Sequence, residues 1–394
     1  MIDIEHIIFQ NINLLPYWSW KMSNRYSQHK ILKKAFEVVA SEFSNFFADK
    51  IKFQYGIRPD PKSIKIQSID IKNILGRDRE LYLVDIPFSS DAGIYQTRLF
   101  IKTFKDQRKV FQEASGSMHL EEILKNQNSV RTPKLLYYSK EWNILVFEGI
   151  YADDFDKCPY LSIEEKYFLA GLGLPVLHGS TLKEIDLERY YLLLEKSISQ
   201  IKSRISSIIP EGVTVLDVLQ ANLVKEIEQR MFYSHGGGIS FGDFHSGNMM
   251  FERINEKIRN LNKTIDNIQI WLIDCEFTDF DIENADRVDR FEDIGTFFAK
   301  NFLEEFSETQ KIKTGLKNLK SFLTGYNSIF KKMTGIYLHE CYPKGTTFEF
   351  QIAQTLLFDL LYFIIKVSDL SLIKKAFLLR IDFINYLLNN RLIK

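Results

Sequence analysis

The stretch Ile239-Ser240-Phe241-Gly242-Asp243-Phe244-His245-Ser246-Gly247-Asn248 decides how the rest of the chain is read. Its apolar approach stops at Gly242-Asp243, the pattern of a strand running into a tight loop. Asn248 follows Asp243 closely enough for one loop to aim both polar side chains at a common point. Downstream, the apolar run Ile270-Trp271-Leu272-Ile273 reads as a second strand that delivers Asp274, Cys275 and Glu276.

Two carboxylates and an amide of this kind are what phosphoryl transfer requires. One carboxylate accepts or orients the proton of an acceptor hydroxyl, while the amide and the other carboxylate hold magnesium against the phosphates. Gly-Asp-Phe-His-Ser-Gly-Asn followed by Ile-Asp-Cys-Glu resembles the catalytic and metal-binding motifs of the aminoglycoside phosphotransferase and choline kinase superfamily, within the protein-kinase-like fold. The resemblance covers roughly residues 71–300. It implies an α+β, two-lobed protein-kinase-like fold with an antiparallel-sheet N-lobe and a mainly helical C-lobe. Residues 1–60 are expected as a helical N-terminal extension, 61–148 as the N-lobe and 149–394 as the C-lobe. It further implies ATP or GTP with Mg2+, Asp243 as catalytic residue, and Asn248, Asp274 and Glu276 as metal contacts. Two positions depart from the family. Phe241 stands where His usually precedes Gly-Asp, and Cys275 replaces the usual aromatic; neither removes a charged group.

Composition narrows the function classes. Lys+Arg and Asp+Glu both number 51, so no overall field favours nucleic acid or an anionic membrane. Three widely spaced cysteines, Cys158, Cys275 and Cys341, build neither a disulfide framework nor a CxxC zinc site, and His235, His245 and Cys275 fit no usual zinc spacing. The start Met-Ile-Asp-Ile-Glu is acidic where a signal peptide is basic, and the apolar segment 355–367 is broken by Asp359 and Lys366 and falls short of a membrane span. The expectation is a cytoplasmic protein of open oligomeric state, with a small-molecule hydroxyl acceptor as its partner.

Taken in order, residues 26–55 carry apolar residues at helical spacing and predict a helix, read as packing against the back of the first lobe, with a lid over the site or an oligomer contact as alternatives. Arg58-Pro59-Asp60-Pro61 marks a break, and alternating runs at 63–71, 81–86 and 97–103 predict an antiparallel sheet. The link Gly76-Arg77-Asp78-Arg79-Glu80 lies where a kinase keeps its phosphate-covering loop but lacks GxGxxG, which argues against a protein kinase. The third strand ends at Lys102, which the resemblance assigns to the α- and β-phosphates. On the predicted helix 108–126, Glu113 is the candidate to hold Lys102, with Glu121 and Glu122 as rivals. The hairpin 132–147 leads to Glu148, Gly149 and Ile150, which the resemblance implies line the base through main-chain atoms. Residues 162–230 read as helical, with Pro175 expected to kink or interrupt and His178 as a packed or capping histidine. Gly236-Gly237-Gly238 reads as a flexible turn, and 252–267 as a surface hairpin.

His245 is expected to hold loop geometry, and Asp293 to brace the catalytic loop by hydrogen bonds. Residues 274–293 hold nine acids against Arg287 and Arg290, read either as a wall for an amine-bearing acceptor or as a solvated loop. Helices are predicted over 312–332, 348–368 and 370–390. The reading is a small-molecule kinase, with a protein kinase and a non-catalytic nucleotide-binding scaffold as alternatives.

Overall fold

A computed structural model describes residues 56–393 apart from 67–69, 76–78, 92, 105, 128, 140–142, 181–182, 231–235, 255–266, 275–287 and 343–346; before 56 it describes only Ala48 and Lys52. The helix predicted over 26–55, most of the hairpin over 252–267, part of the link at 76–80, Cys275 and Glu276 therefore lie outside the described residues. The chain divides into two compact units, Met1–Asp153 with Phe251–Ile273 and Asp154–Met250 with Asp274–Lys394.

In the first unit, the strand predicted over 63–71 is broken. Asp60 accepts from the Lys62 N–H at 2.9 Å and caps a single turn, Pro61–Ser63, because Pro61 presets the backbone for it. Only then come β1 (Lys65–Ile66) and β2 (Asp70–Leu75). Both pair with β3 (Arg79–Ser90), which pairs along its whole length with β4 (Gly93–Phe104). Asp106 accepts from the Arg108 N–H at 2.9 Å and starts α1 (Gln107–Leu124). After β5 (Val130–Arg131), the hairpin β6 (Leu135–Ser139) and β7 (Ile144–Glu148) completes a six-stranded sheet in the order β1-β3-β4-β7-β6, with β2 also on β3. Val110 and Ala114 of α1 pack on Leu145 and Phe147, which fixes the helix across β7.

The chain passes to the second unit at β8 (Asp153–Asp154). A capping box between Ser162 and Glu165 opens α2 (Ile163–Gly173). Pro175 does not kink this helix; it begins a new one, α3 (Pro175–Gly179), where its missing N–H costs nothing. The long helices α4 (Leu187–Ile205) and α5 (Pro210–Arg230) follow, then β9 (Gly237–Gly238). Next, β10 (Met249–Arg253) carries the chain back to the first unit, where β11 (Ile268–Leu272) lies parallel to β5, Ile270 opposite Val130. The return is β12 (Val288–Asp289), antiparallel to β9, and then α6 (Phe291–Thr309), α7 (Lys313–Thr334), α8 (Thr347–Lys366) and α9 (Leu370–Asn389). The fold is mixed α+β.

Phe297 of α6 sits edge-on to Phe155 and Tyr167, with Phe298 and Phe322 around it, so an aromatic core backs the loop that follows β9. By length and composition α8 does qualify to cross a membrane over Phe348–Lys366, contrary to the sequence reading; 67% of that window is buried, as in a core helix.

Candidate active site

In the first unit, α1 buries Val110, Glu113, Ser117, Leu120 and Leu124 at three- and four-residue spacing. One carboxylate thus falls in a stripe of apolar and small side chains. Lys102, near the end of β4 and opposite Leu145 of β7, points at it. The two are 2% and 3% exposed and form a buried ion pair. Phe147 lies under the ammonium, 5.4 Å from it. The rivals are elsewhere: Glu122 pairs with Lys125, and Glu121 is half-buried, its pKa raised by that burial.

The expected base-lining residues are less available than their positions suggest. Glu148 N–H donates to the Lys134 carbonyl at 2.9 Å, and its Oε1 accepts from the Lys134 N–H at 2.9 Å. Gly149 N–H donates to the Arg98 carbonyl at 2.7 Å. The N–H groups of Glu148 and Gly149 are therefore already bonded within the sheet, and what they present to a base is their carbonyl side. Ile150 alone of the three has its N–H outside those bonds among the described residues.

In the second unit, the stretch 239–248 forms the predicted tight loop. Phe241 and Phe244 are buried and meet edge-to-face at 5.7 Å, and Phe244 packs on Phe297. This apolar anchoring leaves Asp243 between them partly exposed. Gly242 has φ +94°, a backbone state that side chains other than glycine's resist, so the reversal before Asp243 depends on it. His245 accepts from the Gly247 N–H through Nδ1 at 3.0 Å and starts the turn Ser246–Asn248. Its Nε2 stands 3.5 Å from Asp243 Oδ2, and that carboxylate, with Asp274 nearby, raises the imidazole pKa against the effect of burial. Asn248 donates from Nδ2 to the Asp243 carbonyl at 2.9 Å, which fixes the amide and turns Oδ1 the other way.

Asp293, near the start of α6 and fully buried, takes four hydrogen bonds. They come from Phe241 N–H at 2.6 Å, Gly242 N–H at 2.9 Å, Ser240 Oγ at 2.9 Å and His178 Nε2 at 2.9 Å. The helix N-terminus adds to the stabilisation of this anion. His178 is wholly buried, which pushes its pKa down. A neutral ring that donates to Asp293 through Nε2 accepts at Nδ1, where Tyr326 OH lies at 2.8 Å. Sequence reasoning had His178 as packing; its Leu-His position on a short helix carried no signal for this bond.

Gly236–Gly238 is not the flexible turn expected. Gly237 exchanges hydrogen bonds with Lys183 at 3.2 and 2.8 Å, and β9 pairs with Val288–Asp289. A Cβ on Gly238 would lie 2.8 Å from the His178 carbonyl, so only glycine admits this approach. Behind it, Asp289 accepts from Tyr342 OH at 2.8 Å, Gln351 Nε2 at 3.1 Å and Phe291 N–H at 2.9 Å. Of the acids in 274–293, Asp289 and Asp293 are thus internal braces and face no acceptor. Burial pushes the Glu292 carboxyl up to about 7, with Asp293 and Asp289 adding to the effect and Arg189 opposing it.

Asp274 has φ +54° and is half-buried. Among the described residues no group of three or more His, Cys, Asp and Glu side chains converges as a metal site. Asn248 and Asp274 offer oxygen donors, the chemistry and small number that magnesium takes from protein when phosphates and water complete its shell.

No family model and no curated protein matches this chain. Among solved structures it is similar to the aminoglycoside phosphotransferase APH(2'')-Ib with ADP bound, at 15% identity and TM-score 0.43 over 81% of this chain and 94% of that one. It is also similar to choline kinase LicA from Streptococcus pneumoniae, at 13% identity and TM-score 0.45 over 88% and 99%. A third similarity is to a glucosamine kinase in complex with glucosamine, ADP and inorganic phosphate, at 10% identity and TM-score 0.44 over 84% and 94%.

Proposed function

We propose that this chain is a small-molecule kinase that moves the γ-phosphate of ATP or GTP to a hydroxyl of a small acceptor. The observation that carries the reading is the loop 242–248. In it the Asn248 amide is fixed to the Asp243 backbone carbonyl, His245 stands beside the half-exposed Asp243 carboxylate, and the Gly242 peptide just ahead is held by the buried Asp293. A loop held so firmly around a solvent-facing acid suits chemistry in which positioning does most of the work.

Asp243 orients the acceptor hydroxyl. As its oxygen forms the new bond to phosphorus, the β–γ bridge breaks, the nucleoside diphosphate leaves with the electron pair, and the hydroxyl proton passes to Asp243. Lys102, held by Glu113, meets the α- and β-phosphates, and the Ile150 peptide meets the base. Asn248 and Asp274 would hold magnesium, which neutralises phosphate charge when bound. His245 keeps the Asp243 carboxylate in place and does not exchange protons with substrate.

The test is ADP release over a panel of aminoglycosides, amino sugars, choline-like alcohols and plain sugars. Asp243→Asn should lower turnover by ~10²–10⁴-fold while nucleotide affinity stays within a factor of two or so. Nucleotide binding without ADP release on any of the four classes would overturn the proposal.

A further inference from the structure

We infer that the outer groove of α7 is a binding site for a free, single-chain anionic amphiphile: an acyl chain that ends in a carboxylate. The groove encloses about 980 Å³, within the range of small-molecule pockets. Its floor is apolar, from Leu316, Leu319 and Leu323. These residues share one stripe of α7, beside the face that packs Phe322, Tyr326 and Phe330 into the core.

The far wall is Leu392 and Ile393, and it is fastened in place. The Leu392 peptide N–H donates to the carboxylate of Glu349, a residue of α8 that is 1% exposed. A buried carboxylate that accepts from this segment makes a defined wall of it.

The rim is basic. Lys320, Lys331 and Lys332 line the groove, and no Asp or Glu does. Among the described residues, none of these three lysines makes an ion pair. Lys331 instead lies over the Tyr337 ring, 3.8 Å from its centroid, and the ring stacks on His339 from its other neighbour. Lys320 and Lys331 are separated by about three helical turns, or 16 Å along the axis. An apolar channel of that length with basic side chains at its ends seats a medium-length acyl chain and meets its single anionic head at one of them. A neutral chain would leave the lysines unanswered, and a compact anion would leave the leucines so.

The experiment is titration calorimetry of the full chain with dodecanoate below its micelle concentration, beside dodecanol. Saturable one-to-one binding of dodecanoate, with dodecanol weaker by about tenfold or more, is expected from the loss of the charged contact. Lys320→Glu/Lys331→Glu and, separately, Leu323→Asp should each abolish it, while Lys313→Glu at the helix start should not. Thermal melts of each variant establish that it is folded. Equal affinity for the alcohol, binding unchanged in the double variant, or binding only to anionic vesicles or to an acidic peptide would overturn the assignment. Because the groove lies outside the proposed catalytic loop, Asp243→Asn should bind dodecanoate as the natural chain does, whatever becomes of the kinase reading.

Discussion

Asp293 accepts the N–H of Gly242 at 2.9 Å, and so a buried carboxylate on α6 sets the backbone one residue ahead of Asp243. The side chain does not touch the reacting groups; it fixes the peptide from which they hang. Asn at this position offers a single acceptor oxygen to donors that now share two. Asp293→Asn should therefore destabilise the fold by about 2–4 kcal/mol and lower turnover with it. Urea unfolding and ADP release on the same preparation measure both; an unchanged midpoint would mean that the four bonds contribute nothing.

Lys102 and Glu113 form a pair out of reach of water, so each is far more costly alone than both are together. Lys102→Met and Glu113→Leu should each cost about 3–5 kcal/mol, and the double replacement much less than their sum. Additive losses in a double-mutant cycle would contradict this.

Glu292 has a folded pKa of about 7 against an ordinary 4.5. Its protonated form is thus favoured by folding, and stability falls as pH rises from 4.5 to 7. Gln has no proton to lose. Glu292→Gln should stabilise the protein by about 1–2 kcal/mol at pH 8 and much less at pH 4.5, as read from urea midpoints at the two values. A gain independent of pH would assign the effect to packing.

His245 behaves with the opposite charge. Its pKa is raised by Asp243, so the pair stabilises fully below the ordinary histidine value and is lost as pH climbs through the folded one. Both side chains are nearly half exposed, and screening by water leaves about 0.5 kcal/mol. His245→Gln should flatten that small loss between pH 6 and 8 in a thermal-melt series, and it should reduce turnover far less than Asp243→Asn does.

Local patterns made much of this legible. The loop at 239–248 betrayed itself through Gly242, which the backbone demands, and through Phe241 and Phe244, which must be buried. The eleven-residue step from Lys102 to Glu113 worked because a strand and the helix packed on it bring such positions together. What stayed hidden depends on partners far along the chain. The bonds from Asp293 to His178 and from Asp289 to Tyr342 and Gln351 join segments that no periodicity links. Backbone groups are equally silent, and only the coordinates show that the N–H groups of Glu148 and Gly149 are already bonded. Gly236–Gly238 looked loose for a related reason: glycine marks crowding as often as freedom, and only coordinates tell the two apart.

The seam between Gly237–Gly238 and Val288–Asp289 bears on how such a protein can change over time. The chain leaves the proposed chemistry at Asp274, beside His245, and is stitched down again at Val288 before Asp293 is reached. A side chain at position 238 would press on the His178 carbonyl and displace the start of α6, and Asp293 with it, so change is cheapest away from this seam.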